Sequence, residues 1–321
     1  LLLDRLVMVF NKYFDFFFIK FPIIFPVLYL SSLFFFPENG SLVALITMLV
    51  LAEPHFGATW TVFFDKKMRF LARENFFYFI IIPFIIFLSS LVLFLYAKNL
   101  FFLLFFLFNI YHVTRQSAGI CKLYSKNLEV GLFQERFLYI FNALVFLGIL
   151  LFHLLKIISV EQAQIFGFFM FLAGICICLF QYFKYKNIEN SLITFTGLAM
   201  FIPGFFVNEA IHALLAGITM HYTQYLALTM KLTLSKLKNN IIDNKVLGIK
   251  SYFLLILTYG IIATGLTMFA SKNNQEQVFS TLIFFPILGQ ILHFYIDGLI
   301  WKFRDKNIRE INLSYLLNET K

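Results

Sequence analysis

Long apolar runs alternate with short polar breaks along the chain, and ten such runs can be read: 16–36, 42–64, 76–96, 101–120, 137–155, 165–183, 192–206, 210–230, 252–270 and 279–301. Most approach the roughly 20 residues that a helix needs to cross a hydrocarbon core about 30 Å thick. In hydrocarbon every backbone polar group must be satisfied within its own segment, and the strict alternation of a membrane barrel is absent, so the runs predict helices. Breaks such as "PENG" and "AKN" are short enough to join neighbouring spans directly. Runs 192–206 and 210–230 are separated only by Pro203, Gly204 and Asn208, and this part of the chain can also be read as a re-entrant or broken helix. The longest polar stretch is 231–250. The pattern therefore predicts an all-α, polytopic transmembrane bundle of about ten spans, forming a single domain over residues 1–321.

Composition agrees: 60% of the 321 residues are hydrophobic and 13% charged, with a mean hydropathy of +0.83. The formal net charge of +9 would raise the question of nucleic acid in a water-soluble protein. Here the cations fall on alternate breaks. With a cytoplasmic N-terminus, the inner breaks hold Lys66, Lys67, Arg69 and Arg73, then Lys122, Lys126 and Arg136, then Lys184 and Lys186, then Lys231, Lys236, Lys238, Lys245 and Lys250. The C-terminal segment opens with Lys302, Arg304, Lys306 and Arg309, whereas the outer breaks hold only Lys98, Lys156 and Lys272. This asymmetry follows the positive-inside rule and predicts cytoplasmic termini at both ends. The charge is topological, and no nucleic-acid partner is implied. Cys121, Cys176 and Cys178 form no pair of ligand-type motifs, so a disulfide framework or zinc ribbon is not expected. Residues 1–13 contain Asp4, Arg5, Asn11 and Lys12 and lack a clean apolar centre, so no cleavable signal is expected there. The 47 phenylalanines fit lipid-facing positions, which accept any large apolar side chain, better than a cofactor cage.

All six histidines fall inside apolar runs. Four lie in runs that pass from outside to inside: His55 in "AEPHFGATW", His112 in "NIYHVTRQSAGI", His221 in "GITMHYTQYL" and His293 in "QILHFYIDGLIW". From His55 to Lys66 is 11 residues, from His112 to Lys122 is 10, from His221 to Lys231 is 10 and from His293 to Lys302 is 9. At 1.5 Å per residue, all four sit roughly 14 to 16 Å from the inner boundary. A single buried histidine is ordinarily bonded to a neighbouring helix. Four at one depth on four helices point to a ring of metal ligands.

One turn further in lie Arg115 and Gln116 after His112, Gln224 after His221 and Asp297 after His293, each on the same helical face as its histidine. Such polar groups can orient the imidazoles, or they can simply bind helix to helix. Arg115 and Asp297 are expected to pair, because neither is tolerated alone at that depth. Glu53 precedes Pro54 and His55, and the proline loosens the turn so that Glu53 can serve as an outer acceptor, a proton acceptor or a further ligand. Glu53, Arg115 and Asp297 are thus candidate catalytic groups. Gln116 and Gln224 are candidate cofactor-orienting groups, and Tyr111, Tyr222 and Tyr225 are candidate channel-lining residues. His212, with Glu209 three residues earlier, lies about two and a half turns outward of His221 and reads as an access gate or a helix start. His153, beside Lys156, reads as an interfacial residue.

Neutral imidazoles with nearby carboxylates and no thiolates suit iron, zinc or copper and do not suit magnesium or calcium. Iron(II) in a larger shell keeps positions open for dioxygen, which favours oxidation of a lipophilic substrate entering from the bilayer. "EPHFGATW" and "YHVTRQSAGI" resemble the histidine-bearing helices of the bacterial β-carotene 15,15′-dioxygenase family, polytopic membrane proteins thought to bind iron through histidines and to cleave carotenoids to retinal. The resemblance implies iron ligation by His55 and His112. Thr59 and Trp60 stand where that family carries an aspartate, and the span count here is higher. The sequence thus predicts a non-haem iron oxygenase of membrane lipids or carotenoids. The alternatives are a haem-binding electron carrier with two-histidine ligation, and a proton or metal-ion transporter using Glu53, Arg115 and Asp297 as a relay. The absence of an internal repeat counts against the transporter.

Overall fold

The structure, a computed structural model, describes residues 9–125, 128–239, 241–242, 249–272 and 281–317. Residues 1–8 of the stretch weighed as a signal, and Lys126 and Lys245 among the inner cations, lie outside these. Among the described residues there are helices and no strands. The helices of eight residues or more among the described residues are α1 (Ile24–Phe35), α2 (Gly40–Thr47), α3 (Glu53–Trp60), α4 (Lys66–Glu74), α5 (Ile82–Tyr96), α6 (Lys98–Tyr124), α7 (Leu128–Ile149), α8 (Val160–Tyr185), α9 (Ile188–Ala199), α10 (Ala210–Lys238), α11 (Ile249–Lys272) and α12 (Phe284–Ile300).

Among the described residues six helical segments are long and apolar enough to cross a membrane: Pro37–Phe64, Phe77–Tyr96, Glu129–Leu154, Val160–Tyr185, Ile249–Lys272 and Thr281–Ile300. A seventh is added if the pair Lys12–Lys20 and Ile24–Phe35, bent by 55°, counts as one span. Pro22 lies in that bend, where its missing N–H interrupts the helical ladder. Helices α6 and α10 have 27 and 29 residues but fall outside the six, since their length is shared with the polar side chains that surround His112 and His221. The apolar run 192–206 departs from a full span. It folds as α9, 12 residues and so about 18 Å long, followed by a 3-10 turn, Ile202–Phe206, with Pro203 at its start. Helix α9 is largely buried.

The chain divides into two compact units. The first comprises Leu1–Thr47 and Ile110–Gln224. Its core carries a polar seam on α7, where Gln134, Leu138 and Asn142 fall at intervals of four on one face. Gln134 Nε2 donates to the Asn190 carbonyl at 3.1 Å and to Thr194 Oγ1 at 2.8 Å, while Asn142 Nδ2 donates to Thr114 Oγ1 at 3.0 Å and to the Gly197 carbonyl at 3.3 Å. Small residues allow close approach: a Cβ on Gly217 of α10 would stand 1.7 Å from the Met200 carbonyl oxygen. At the N-terminal end, Lys20 pairs with Glu189 at 2.6 Å and lies 5.0 Å from the centre of the Tyr124 ring.

The second unit comprises Met48–Asn109 and Tyr225–Lys321. Here α3 packs along α11, and Gly57 and Gly260 make that contact possible. A Cβ on Gly57 would stand 2.9 Å from Tyr259 Cβ, and one on Gly260 would stand 2.9 Å from the Leu49 carbonyl oxygen. Phe56, Phe94, Phe101, Phe105, Phe284 and Phe294 form an aromatic cluster beside α12. A buried ion pair closes one end: Lys236 Nζ lies 2.7 Å from Asp65 Oδ2 and donates to Asn312 Oδ1 at 2.9 Å, and Asn312 Nδ2 donates to the Ile300 carbonyl at 2.8 Å.

Candidate metal centre

The backbone before His55 is widened. Pro54 has no N–H, and its ring crowds the carbonyl one turn earlier; a π-helical turn, Met48–Ala52, precedes α3 and accommodates both effects. His55 follows on the first turn of α3, with Nδ1 3.0 Å from the Ala52 carbonyl oxygen. A carbonyl only accepts, so Nδ1 carries the ring proton and Nε2 carries the lone pair, the form in which imidazole binds a metal.

His293 approaches from α12. Its ring centroid lies 4.5 Å from that of His55, with the planes at 76°, and both rings are buried. A ring nitrogen of each lies within 4.8 Å of one from the other. Two ligands at about 2.1 Å from one ion are at most about 4.2 Å apart, so a movement of about half an ångström lets the pair share one.

The polar surroundings of this pair come from three helices. Thr59, one turn after His55, places Oγ1 2.6 Å from His293 Nδ1, 2.6 Å from the Tyr225 hydroxyl and 3.3 Å from Asp297 Oδ1. Tyr225 donates to Asp297 Oδ1 at 2.6 Å, and the Trp301 indole N–H reaches the Tyr225 oxygen at 3.5 Å. Asp297 stands 3.8 Å from His293 Nδ1, too far for a direct hydrogen bond. Glu53 is buried, and its Oε1 accepts from Gln290 Nε2 at 3.0 Å; among the described residues its Oε2 has no hydrogen-bond partner.

The first unit holds the other two candidate ligands, also as a pair. His112 of α6 and His221 of α10 are buried with ring centroids 5.2 Å apart and planes at 87°. Gln116 is half-buried, and its Oε1 has no partner among the described residues. Gln224 is buried, with Nε2 donating to the Ile19 carbonyl at 2.6 Å, so its amide ties α10 to the N-terminal π turn. Arg115 is half-buried in this unit, and Asp297 is held in the other by Tyr225 and Thr59. Tyr222 is buried and Tyr111 exposed.

The remaining histidines have local partners. His212 Nδ1 lies 2.7 Å from the Tyr29 hydroxyl, and its Nε2 is 3.5 Å from Glu209 Oε2. His153 Nε2 donates to the Gly204 carbonyl at 2.8 Å. Sequence reasoning missed Thr59, Gln290 and Trp301 as contributors. Thr59 falls four residues after His55 and Gln290 three before His293, so the helical face rule applied in both directions identifies the first two.

Two buried imidazoles with ring nitrogens within 4.8 Å, and a carboxylate reached through hydroxyls, form a group that could hold a metal ion. No protein-family model, curated protein or solved structure matches the chain.

Proposed function

We propose that the protein is an integral, multi-pass membrane oxygenase that uses a non-haem iron(II) ion on a lipophilic substrate, such as a carotenoid or another membrane lipid. The observation that carries the reading is the buried His55–His293 pair, with ring nitrogens within 4.8 Å and a carboxylate behind one of them. In this reading His112 and His221, which the spacing of the chain sets at the same depth, are the further ligands. Glu53, Asp297, Arg115, Gln116 and Gln224 orient ligands or move protons. Imidazole and carboxylate without thiolate suit iron(II) and leave coordination positions for dioxygen. The short resemblance of "EPHFGATW" and "YHVTRQSAGI" to the carotenoid dioxygenases supports iron as the metal at His55 and His112. The alternation of cation-rich and cation-poor breaks supports ten spans with both termini cytoplasmic.

Elemental analysis and an absorption spectrum of the detergent-purified protein, beside His112→Ala, test the reading. About one iron per chain without a Soret band, lost in the variant, is the expected result, followed by oxygen-dependent consumption of an added carotenoid or lipid. A Soret band selects haem electron transfer instead. Absence of metal after anaerobic reconstitution removes the oxygenase.

A further inference from the structure

We propose that Thr59 is a positioning residue that carries the influence of Asp297 to His293 and fixes which imidazole nitrogen meets the metal. The inference rests on the metal-centre reading above and deepens it. Around Thr59 Oγ1 three polar atoms converge: the Tyr225 hydroxyl at 2.6 Å, His293 Nδ1 at 2.6 Å and Asp297 Oδ1 at 3.3 Å. Only two hydroxyl protons are present, one on Tyr225 and one on Thr59. The carboxylate is the strongest acceptor, and Tyr225 directs its proton there at 2.6 Å. Thr59 directs its own proton toward Asp297 and the Tyr225 oxygen. The Thr59 oxygen then accepts from His293, which places the imidazole proton on Nδ1 and the lone pair on Nε2.

The same tautomer is imposed on His55 by the Ala52 carbonyl. Both imidazoles therefore offer Nε2, by two different devices: a backbone carbonyl for one and a hydroxyl-linked carboxylate for the other. Asp297 cannot perform this task alone, because its oxygen is 3.8 Å from His293 Nδ1. The threonine oxygen fills that gap. A valine has the same shape as threonine and lacks the relay, whereas a serine keeps it.

The test uses the full chain in detergent, titrated with cobalt(II) and followed by its ligand-field absorption, with ¹⁵N imidazole spectra of the metal-free protein. Thr59→Val is expected to weaken cobalt binding by about 10- to 100-fold, the usual effect of losing a hydrogen-bond partner behind a ligand. It should also shift His293 away from the Nδ1–H tautomer. Thr59→Ser restores both, and Asp297→Asn behaves like Thr59→Val, so the aspartate variant decides the matter if the valine variant does not insert. Wild-type affinity and tautomer in Thr59→Val, beside a metal-free His293→Ala, overturn the relay and leave the metal centre standing. Full metal retention in His293→Ala overturns the metal centre and the relay with it.

Discussion

His55 and His293 meet edge to face across the α3–α12 contact, with ring centroids 4.5 Å apart and an interplanar angle of 76°. Tyr225 stands nearly perpendicular to both, at 5.1 Å from His55 and 5.3 Å from His293. Two imidazoles buried side by side contribute less to packing than two leucines of similar volume, and each brings polar atoms that must be satisfied. On the proposed reading, ligation is the reason for the pair. Alanine at His55, His293, His112 or His221 is therefore expected to abolish metal binding while leaving expression and detergent behaviour intact. Elemental analysis of each purified variant checks this, and full metal content in two of the four removes the ring.

A different kind of substitution tests the packing of the first unit. Gly217→Ala places a methyl 1.7 Å from the Met200 carbonyl oxygen, and a backbone atom cannot turn away as a side chain does. The cost should be at least about 3 kcal/mol, the upper end of ordinary overpacking. Gly119→Ala is the matched control: nothing lies within 4 Å of its added carbon, and removing a helical glycine stabilises by about 0.5–1 kcal/mol. Thermal unfolding of the two variants in one detergent should move in opposite directions. A wild-type transition in Gly217→Ala would show that α10 does not approach Met200 so closely.

The helical character of the chain, and the burial of five of its histidines, were legible from periodicity alone, because long apolar runs and costly polar exceptions are both local signals. The fate of run 192–206 was less so. Its apolar composition is that of a span, but Pro203 has no N–H with which to continue the α-helix, and α9 is buried against its own unit through Asn190, Thr194 and Gly197. Depth counting along single helices predicts one level for the four ligand candidates, and it carries no information on which rings meet. The pairing of His55 with His293 and of His112 with His221 depends on helix rotation and tertiary contact. The i+4 spacing puts Thr59 on the face of His55, but threonine is ordinary in an apolar helix, and only the approach of Tyr225 and Asp297 gives its hydroxyl a role. Likewise, the position of Gln224 one turn after His221 gives no hint that its amide nitrogen reaches the Ile19 carbonyl.

The ion pair between Asp65 and Lys236 is buried on both sides, at 2.7 Å, so each charge depends on the other. Lys236→Met alone leaves a buried carboxylate without its cation and should destabilise by about 3–5 kcal/mol. Asp65 also accepts from the Lys67 N–H at the start of α4, and an asparagine side chain can make the same cap. Combining Asp65→Asn with Lys236→Met removes both charges and keeps that cap. The double variant should therefore recover much of the loss, and a double-mutant cycle by chemical or thermal denaturation measures it. Strict additivity of the two single changes would show that the charges are not coupled.

His212 offers the sharpest contrast with the proposed ligands, since it carries the E-x-x-H spacing seen in some metal-binding bundles yet is held by a phenol. Tyr29 lies 2.7 Å from Nδ1, Glu209 is 3.5 Å from Nε2, and Gly40 approaches so closely that a Cβ there would stand 3.1 Å from Nε2. Such a setting gives Nδ1 a hydrogen-bond partner and sets Nε2 beside a carboxylate. Tyr29→Phe removes one partner, leaving a buried nitrogen unsatisfied, and should cost about 1–3 kcal/mol. Because this histidine is not among the ligands, the metal content of Tyr29→Phe should match that of the wild type even as its thermal transition falls. Loss of metal in Tyr29→Phe, at a temperature where the variant remains folded, would assign His212 to a metal site and require the ligand set to be redrawn around α10.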